Sequence, residues 1–231
     1  LNVPHSPESQ FGYAMIKQSI TRHFMIRERY SQGAPENFDY VGGGAEVRLR
    51  GEYDEAFESE FKENPVEFLR NMDFAVSIDE FKKTGSHQDM IVPTTKDSVF
   101  FQYHKPEDLE EARVRYMFLI SAEKVGFPAP KPVGLMRSTD PEMGHYVMFE
   151  NMSGLSGNHF VDFVQKQNGL SEQQKNKLIN QLDNKLSDLT EDLADKMNLV
   201  KRWKREDVIV KYDMAKGEIE SVTPFNWVGV K

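Results

Sequence analysis

The sequence predicts an α+β fold with a small antiparallel sheet, a long amphipathic helix and an extra helical region on the N-terminal side. Three observations carry this. Short apolar stretches such as "SVFFQYH" (98–104) and "HYVMFE" (145–150) have the length and composition of strands. Leu178, Leu182, Leu186, Leu189, Leu193 and Met197 recur every three or four residues, one buried stripe along a long helix. "DVIVKYD", "MAKG" and "EIESVTPFNW" then finish the chain as a hairpin.

Taken in order, residues 1–10 are polar with two prolines and read as an arm. Phe11, Met15, Ile16, Ile20 and Phe24 fall at helical spacing, so a helix is expected up to Tyr30, closed by Gly33 and Pro35. "DYVGGGAEVRLRGEYD" reads as a glycine-rich turn between two short strands. Residues 52–90 are acidic and aromatic, with Phe57 and Phe61 at i,i+4 and a further short helix expected from Phe74 to Phe81.

After the 98–104 strand, Pro106 opens a helix with Glu107 and Asp108 in its first turn, where carboxylates meet the positive helix end. Gly126 stops it. "FPAPKPVGLM" gives a loop and a strand, and "NMSGLSGN" (151–158) is a polar link, read as a hinge between two lobes. A short helix is expected at 159–167, and Ser171 with Gln174 offers a capping box for the long helix. The expected division is 1–97 (arm, helix, glycine turn and acidic segment), 98–153 (strands and helix) and 154–231 (helices and hairpin).

Composition bounds the function. A chain of 231 residues with 39% hydrophobic residues can bury an ordinary core. A net charge of -8 argues against a surface made for nucleic acid or anionic lipid, both of which need clustered positive potential. Without cysteine there is no disulfide, thiolate zinc site or cysteine nucleophile. No apolar run approaches the roughly 18 to 20 residues that cross a bilayer, and the start has no positive-then-apolar signal pattern. The expected location is the cytoplasm or a macromolecular assembly such as a virion; the initial Leu suggests that the sequence given starts inside a longer chain.

From residue 98 onward, the order strand, helix, strand, strand, link, short helix, long helix, basic loop, hairpin resembles the protein-kinase-like fold. "EARVRYMFLISAEKVGFPAPKPVGLM" resembles the helix and following strand of small bacterial and archaeal kinase-like phosphotransferases, and "YVMFENMSG" the hinge that meets adenine. "WKREDVIV" falls where the family has a leucine, Lys-Pro-Glu-Asn and an apolar strand; "VTPFNW" falls where it has Val-x-Asp-Phe-Gly. The resemblance implies a two-lobed arrangement and, if nucleotide binds, contacts from Gly42, Gly43, Gly44, Gln102, Glu150, Met152 and Asp207.

Phosphoryl transfer needs a strand lysine on the phosphates, a helix glutamate holding it, a catalytic aspartate, and an asparagine and an aspartate on Mg²⁺. Here Gln102 takes the lysine position, leaving Glu110 or Glu111 without a partner. The catalytic aspartate falls on Arg202, a permanent cation that cannot act as a base. The metal asparagine falls on Asp207 and the metal aspartate on Pro224, or on Asn226 if the alignment slips by two residues. "VGGGAEV" (41–47) looks like the phosphate-covering loop of atypical kinases, but about 50 residues separate it from the 98–104 strand, and an ordinary glycine turn accounts for it too. The sequence given ends seven residues after Pro224, without the activation segment and helices of the family.

Other chemistry has little support in the residues. The six histidines lack metal-ligand spacing, no Gly-x-Ser-x-Gly elbow is present, and the sixteen Phe read as core. Lys201, Arg202, Lys204 and Arg205 form the dense basic cluster, a candidate partner-binding patch or a solvated loop after a helix C-terminus. The expectation is therefore a kinase-like protein without catalytic residues or a required cofactor, ATP and Mg²⁺ being the doubtful candidates, which binds or scaffolds other proteins. The alternatives are a structural or assembly subunit, as in a virus particle, and third an atypical ATP-dependent phosphotransferase using Asp207. A protein partner or an oligomer is expected, with no membrane and no nucleic acid.

Overall fold

The computed structural model describes residues 40–42, 44–71, 90–96, 98–140, 143–227 and 230. The arm at 1–10, the helix expected over 11–30, the one expected at 74–81, and Gly43 lie outside the described residues. The described chain mixes helix and sheet, with two small antiparallel sheets.

The larger sheet has six strands numbered along the chain: β1 (Tyr40–Gly42), β2 (Ala45–Leu49), β3 (Met90–Pro93), β4 (Ser98–His104), β5 (Pro132–Ser138) and β6 (His145–Glu150). Their order across the sheet is β1-β2-β5-β6-β4-β3, with every neighbouring pair antiparallel. The expected boundary at 97/98 runs through this sheet, because β1, β2 and β3 all belong to it. The reason is non-local pairing: the β1–β2 hairpin docks on β5, more than eighty residues along the chain.

Alternation along the strands assigns the two faces. Phe101, Tyr146, Met136 and Met148 face a layer made by a 3-10 turn (Gly51–Ala56), α1 (Ser59–Glu63) and α2 (Pro65–Asn71). Phe57 and Phe61 meet there at 4.7 Å, and Phe61 stands edge-on to Phe101 at 6.0 Å. Phe100, Leu135, Val147 and Phe149 face the other way, into a core with α3 (Leu109–Lys124). A 3-10 turn at Pro106–Asp108 leads into α3, with Pro at its first position.

After Glu150 the chain passes to a second sheet of β7 (Leu155–Ser156), β8 (Val208–Asp213) and β9 (Glu218–Pro224). Between β7 and β8 lie α4 (Gly157–Lys166) and α5 (Glu172–Met197). Ser156 caps α4 by accepting the His159 N–H at 3.2 Å, so this helix starts two residues earlier than its apolar spacing suggests. Ser171 and Gln174 form the expected capping box on α5. All six stripe residues of α5 are buried, packed in one continuous core with α3, β6, β8 and β9.

Candidate functional site

The segment entering the basic loop is extended: Leu199, Lys201 and Trp203 are buried, while Val200, Arg202 and Lys204 are exposed. This period of two turns Lys201 inward and Arg202 outward. Counting along the kinase pattern put Arg202 in the base position; the side chain that enters the cluster is Lys201.

Asp207, 5% exposed, is the hub. One carboxylate oxygen accepts from Asn226 Nδ2 at 2.8 Å. The other accepts from the Lys204 N–H at 3.1 Å and lies 3.4 Å from Lys201 Nζ. The Asp207 carbonyl accepts from the N–H groups of Phe225 (3.0 Å) and Asn226 (3.3 Å), and Lys201 Nζ also donates to the Asn226 carbonyl. Burial holds the Lys201 ammonium below its ordinary pKa; Asp207 opposes that shift, and Arg115 and Lys204 add to it.

Arg115 of α3 closes the cluster from the other side. Its Nε donates to Gln102 Oε1 at 3.2 Å and its guanidinium donates to the Phe225 carbonyl. The same guanidinium lies over Trp227, 5.1 Å from the ring centre. Trp227 in turn packs against Phe118 of α3 at 4.3 Å and stands perpendicular to Trp203 at 4.9 Å. The residues after β9 are thereby pinned between α3 and the loop.

Gln102 is met by Arg115 rather than by a carboxylate of the same helix. Of the two residues considered for the metal aspartate, Pro224 pairs with Val208 inside the sheet and Asn226 is bonded to Asp207. Lys201, a member of the candidate partner-binding patch, is buried instead, and its inward facing, like that of Arg115, left a trace in the sequence. Arg115 lies three residues after Ala112 and four before Leu119, inside the apolar stripe of α3, and Lys201 sits between Leu199 and Trp203 in an alternating run.

The remaining sequence-derived candidates do not converge on this cluster. The glycine turn with Gly42 and Gly44 joins β1 to β2, and the Gly44 carbonyl is held by the Thr139 N–H at 2.8 Å. Between β2 and β4 lie β5 and β6, so the two strands are three interstrand spacings apart, about 14 Å, and the register sets Gln102 level with Arg48, four residues along the strand from Gly44. Glu150 accepts from the Tyr53 hydroxyl on the opposite face and lies 3.5 Å from Lys131. Burial, helped by Glu150, pushes the Tyr53 hydroxyl up to about 12. Met152 packs on the α3-side core, while the Asn151 N–H is bonded to the Ser98 carbonyl at 3.1 Å.

The basic cluster divides as well. Arg205 makes a two-pronged bond to Asp183 of α5 (2.9 and 2.7 Å), which leaves Arg202 and Lys204 as its exposed members. Among the described residues, no three His, Asp or Glu side chains gather as metal ligands, and no helix is long and apolar enough to cross a membrane. Comparison of the chain with protein-family models, with curated proteins and with solved structures gave no match.

Proposed function

We propose that the chain is a non-catalytic, kinase-like binding or scaffolding component that works through protein–protein contacts. The carrying observation is the engagement of Asp207. Its carboxylate already meets an ammonium, an amide and a backbone N–H, so Mg²⁺ would have to expel Lys201 and Asn226 from a buried site.

Two further features support the reading. The order β4, α3, β5, β6, link, α4, α5, loop, β8, β9 follows the kinase order from its third strand onward. In this reading the strand-to-helix contact between Gln102 and Arg115 would stand in for the lysine–glutamate pair of a kinase, with the cation on the helix. In this account Lys201 and Arg115 are resident cations doing structural duty where an active enzyme would use metal and phosphate. Lys204 is exposed but pairs with Glu206 at 3.4 Å, so Arg202 is the exposed cation of the loop best placed to meet an acidic partner surface.

A thermal-shift titration with ATP and ADP, with and without Mg²⁺, tests the proposal. A ligand at a hundred times its Kd stabilises by about 2.7 kcal/mol. No shift at millimolar nucleotide is the expected result; a magnesium-dependent shift with ATP turnover would overturn the proposal in favour of a phosphotransferase.

A further inference from the structure

The sequence holds one Asn-Gly dipeptide, Asn168–Gly169, and the fold sets it in the turn between α4 and α5, with both residues exposed. The helix before it ends with the Gln167 N–H on the Val164 carbonyl, and the helix after it begins with Ser171 and its capping box. Between those two closures, neither the Asn168 amide nor the Gly169 N–H has a hydrogen-bond partner among the described residues. Open space surrounds Gly169: a Cβ built there would meet nothing within 4 Å.

Other asparagines among the described residues are held differently. The N–H after Asn158 is bonded to the Ser156 hydroxyl, and the one after Asn198 to the Leu193 carbonyl. Asn64 precedes a proline, which has no N–H. Asn176, Asn180 and Asn184 lie within α5, where the following N–H groups point along the helix to carbonyls four residues back. Asn168 combines what these lack: a side-chain amide carbon next to a main-chain nitrogen that is neither bonded nor shielded by a side chain.

We propose that Asn168 is a self-modification site, converted in the folded protein to isoaspartate and aspartate. The Gly169 nitrogen gives up its proton to solvent base and attacks Cγ of Asn168; a C–N bond forms, the Cγ–Nδ2 bond breaks and ammonia leaves. Water then opens the resulting cyclic imide at either carbonyl. Opening at the main-chain carbonyl routes the backbone through the former side chain and gives isoaspartate, whereas opening at the other gives aspartate. The sum is one water consumed and one ammonia released, with no change of oxidation state and no cofactor. Both products put a carboxylate just ahead of the positive end of α5, where negative charge is favourable, so the helix survives the reaction. The turn at 167–170, uncharged in the sequence, acquires an anionic group and, in isoaspartate, an extra methylene in its main chain.

Incubation of the full chain, followed by digestion in acid and mass spectrometry of the peptides, tests the proposal site by site. The peptide carrying residue 168 should gain the mass of an amide turned into an acid, and an isoaspartyl carboxyl methyltransferase with S-adenosylmethionine should label it. The rate should rise about tenfold from pH 7 to pH 8, because the attacking nitrogen must first lose its proton. Gly169→Ala, which has room for its methyl group, should slow the conversion about tenfold by crowding that nitrogen. Asn176, Asn180 and Asn184 should remain amides throughout. An Asn168 that stays intact in the folded chain while it converts in an isolated peptide of the same sequence would overturn the proposal. Conversion of the α5 asparagines at the same rate, or an unchanged rate in Gly169→Ala, would overturn it as well.

Discussion

At the scale of single residues, the account turns on Lys201 and Asp207, a buried ion pair whose value depends on both members being present. Removing the cation alone leaves a buried carboxylate without its counter-charge. Lys201→Met should therefore lose about 3 to 5 kcal/mol in chemical denaturation. Adding Asp207→Asn to that variant removes the stranded charge and should recover part of the loss. Arg115→Lys is not a conservative change, because an ammonium cannot hold Gln102 and the Phe225 carbonyl while lying flat on Trp227. Residue types were fully legible in the sequence here, but facing was not. That Gln102 lies on a strand is local information, whereas its partner, the inward lysine and Asn226 depend on contacts between segments distant along the chain.

Among the elements, the readable ones are those that local chemistry specifies. The Ser171–Gln174 box and the leucine stripe fix α5 within its own length, and Ser171→Ala should destabilise by about 1 kcal/mol. Leu182→Ala, at the fully buried centre of the stripe, should remove about 2 to 5 kcal/mol in the same denaturation measurement. The β8–β9 hairpin is legible for a similar reason, its strands being joined by a short turn. The glycine-rich stretch is different: that two strands flank it is local information, but their attachment to β5 depends on residues near 135. Close approaches between elements are equally hidden from local reading. A Cβ on Gly157 would stand 2.4 Å from the Arg205 carbonyl, so α4 packs directly on the backbone of the turn before β8. Gly157→Ala should cost about 1 to 3 kcal/mol and disturb the Arg205–Asp183 bond as well, seen as a shifted denaturation midpoint.

For the whole molecule, the larger sheet is buried on both faces, and the residues before Ser98 supply one of the covers. A fragment beginning at Ser98 would expose Phe101, Met136, Tyr146 and Met148 as one apolar face. It should be insoluble or aggregate in light scattering, whereas a chain beginning at Tyr40 keeps that cover. Global stability should also fall as the pH drops from about 6.5 towards 3, since the folded form resists protonating His104 over that window. The central claim, that protein groups already occupy the one carboxylate a kinase-like site would offer to a metal, is tested most directly by Mn²⁺ uptake. Electron paramagnetic resonance can count free Mn²⁺ in ATP solutions of the unmodified protein and of Asp207→Asn. The account expects the two proteins to take up the same amount, at the level set by ATP and the surface carboxylates. One additional equivalent bound by the unmodified protein and lost in Asp207→Asn would contradict it.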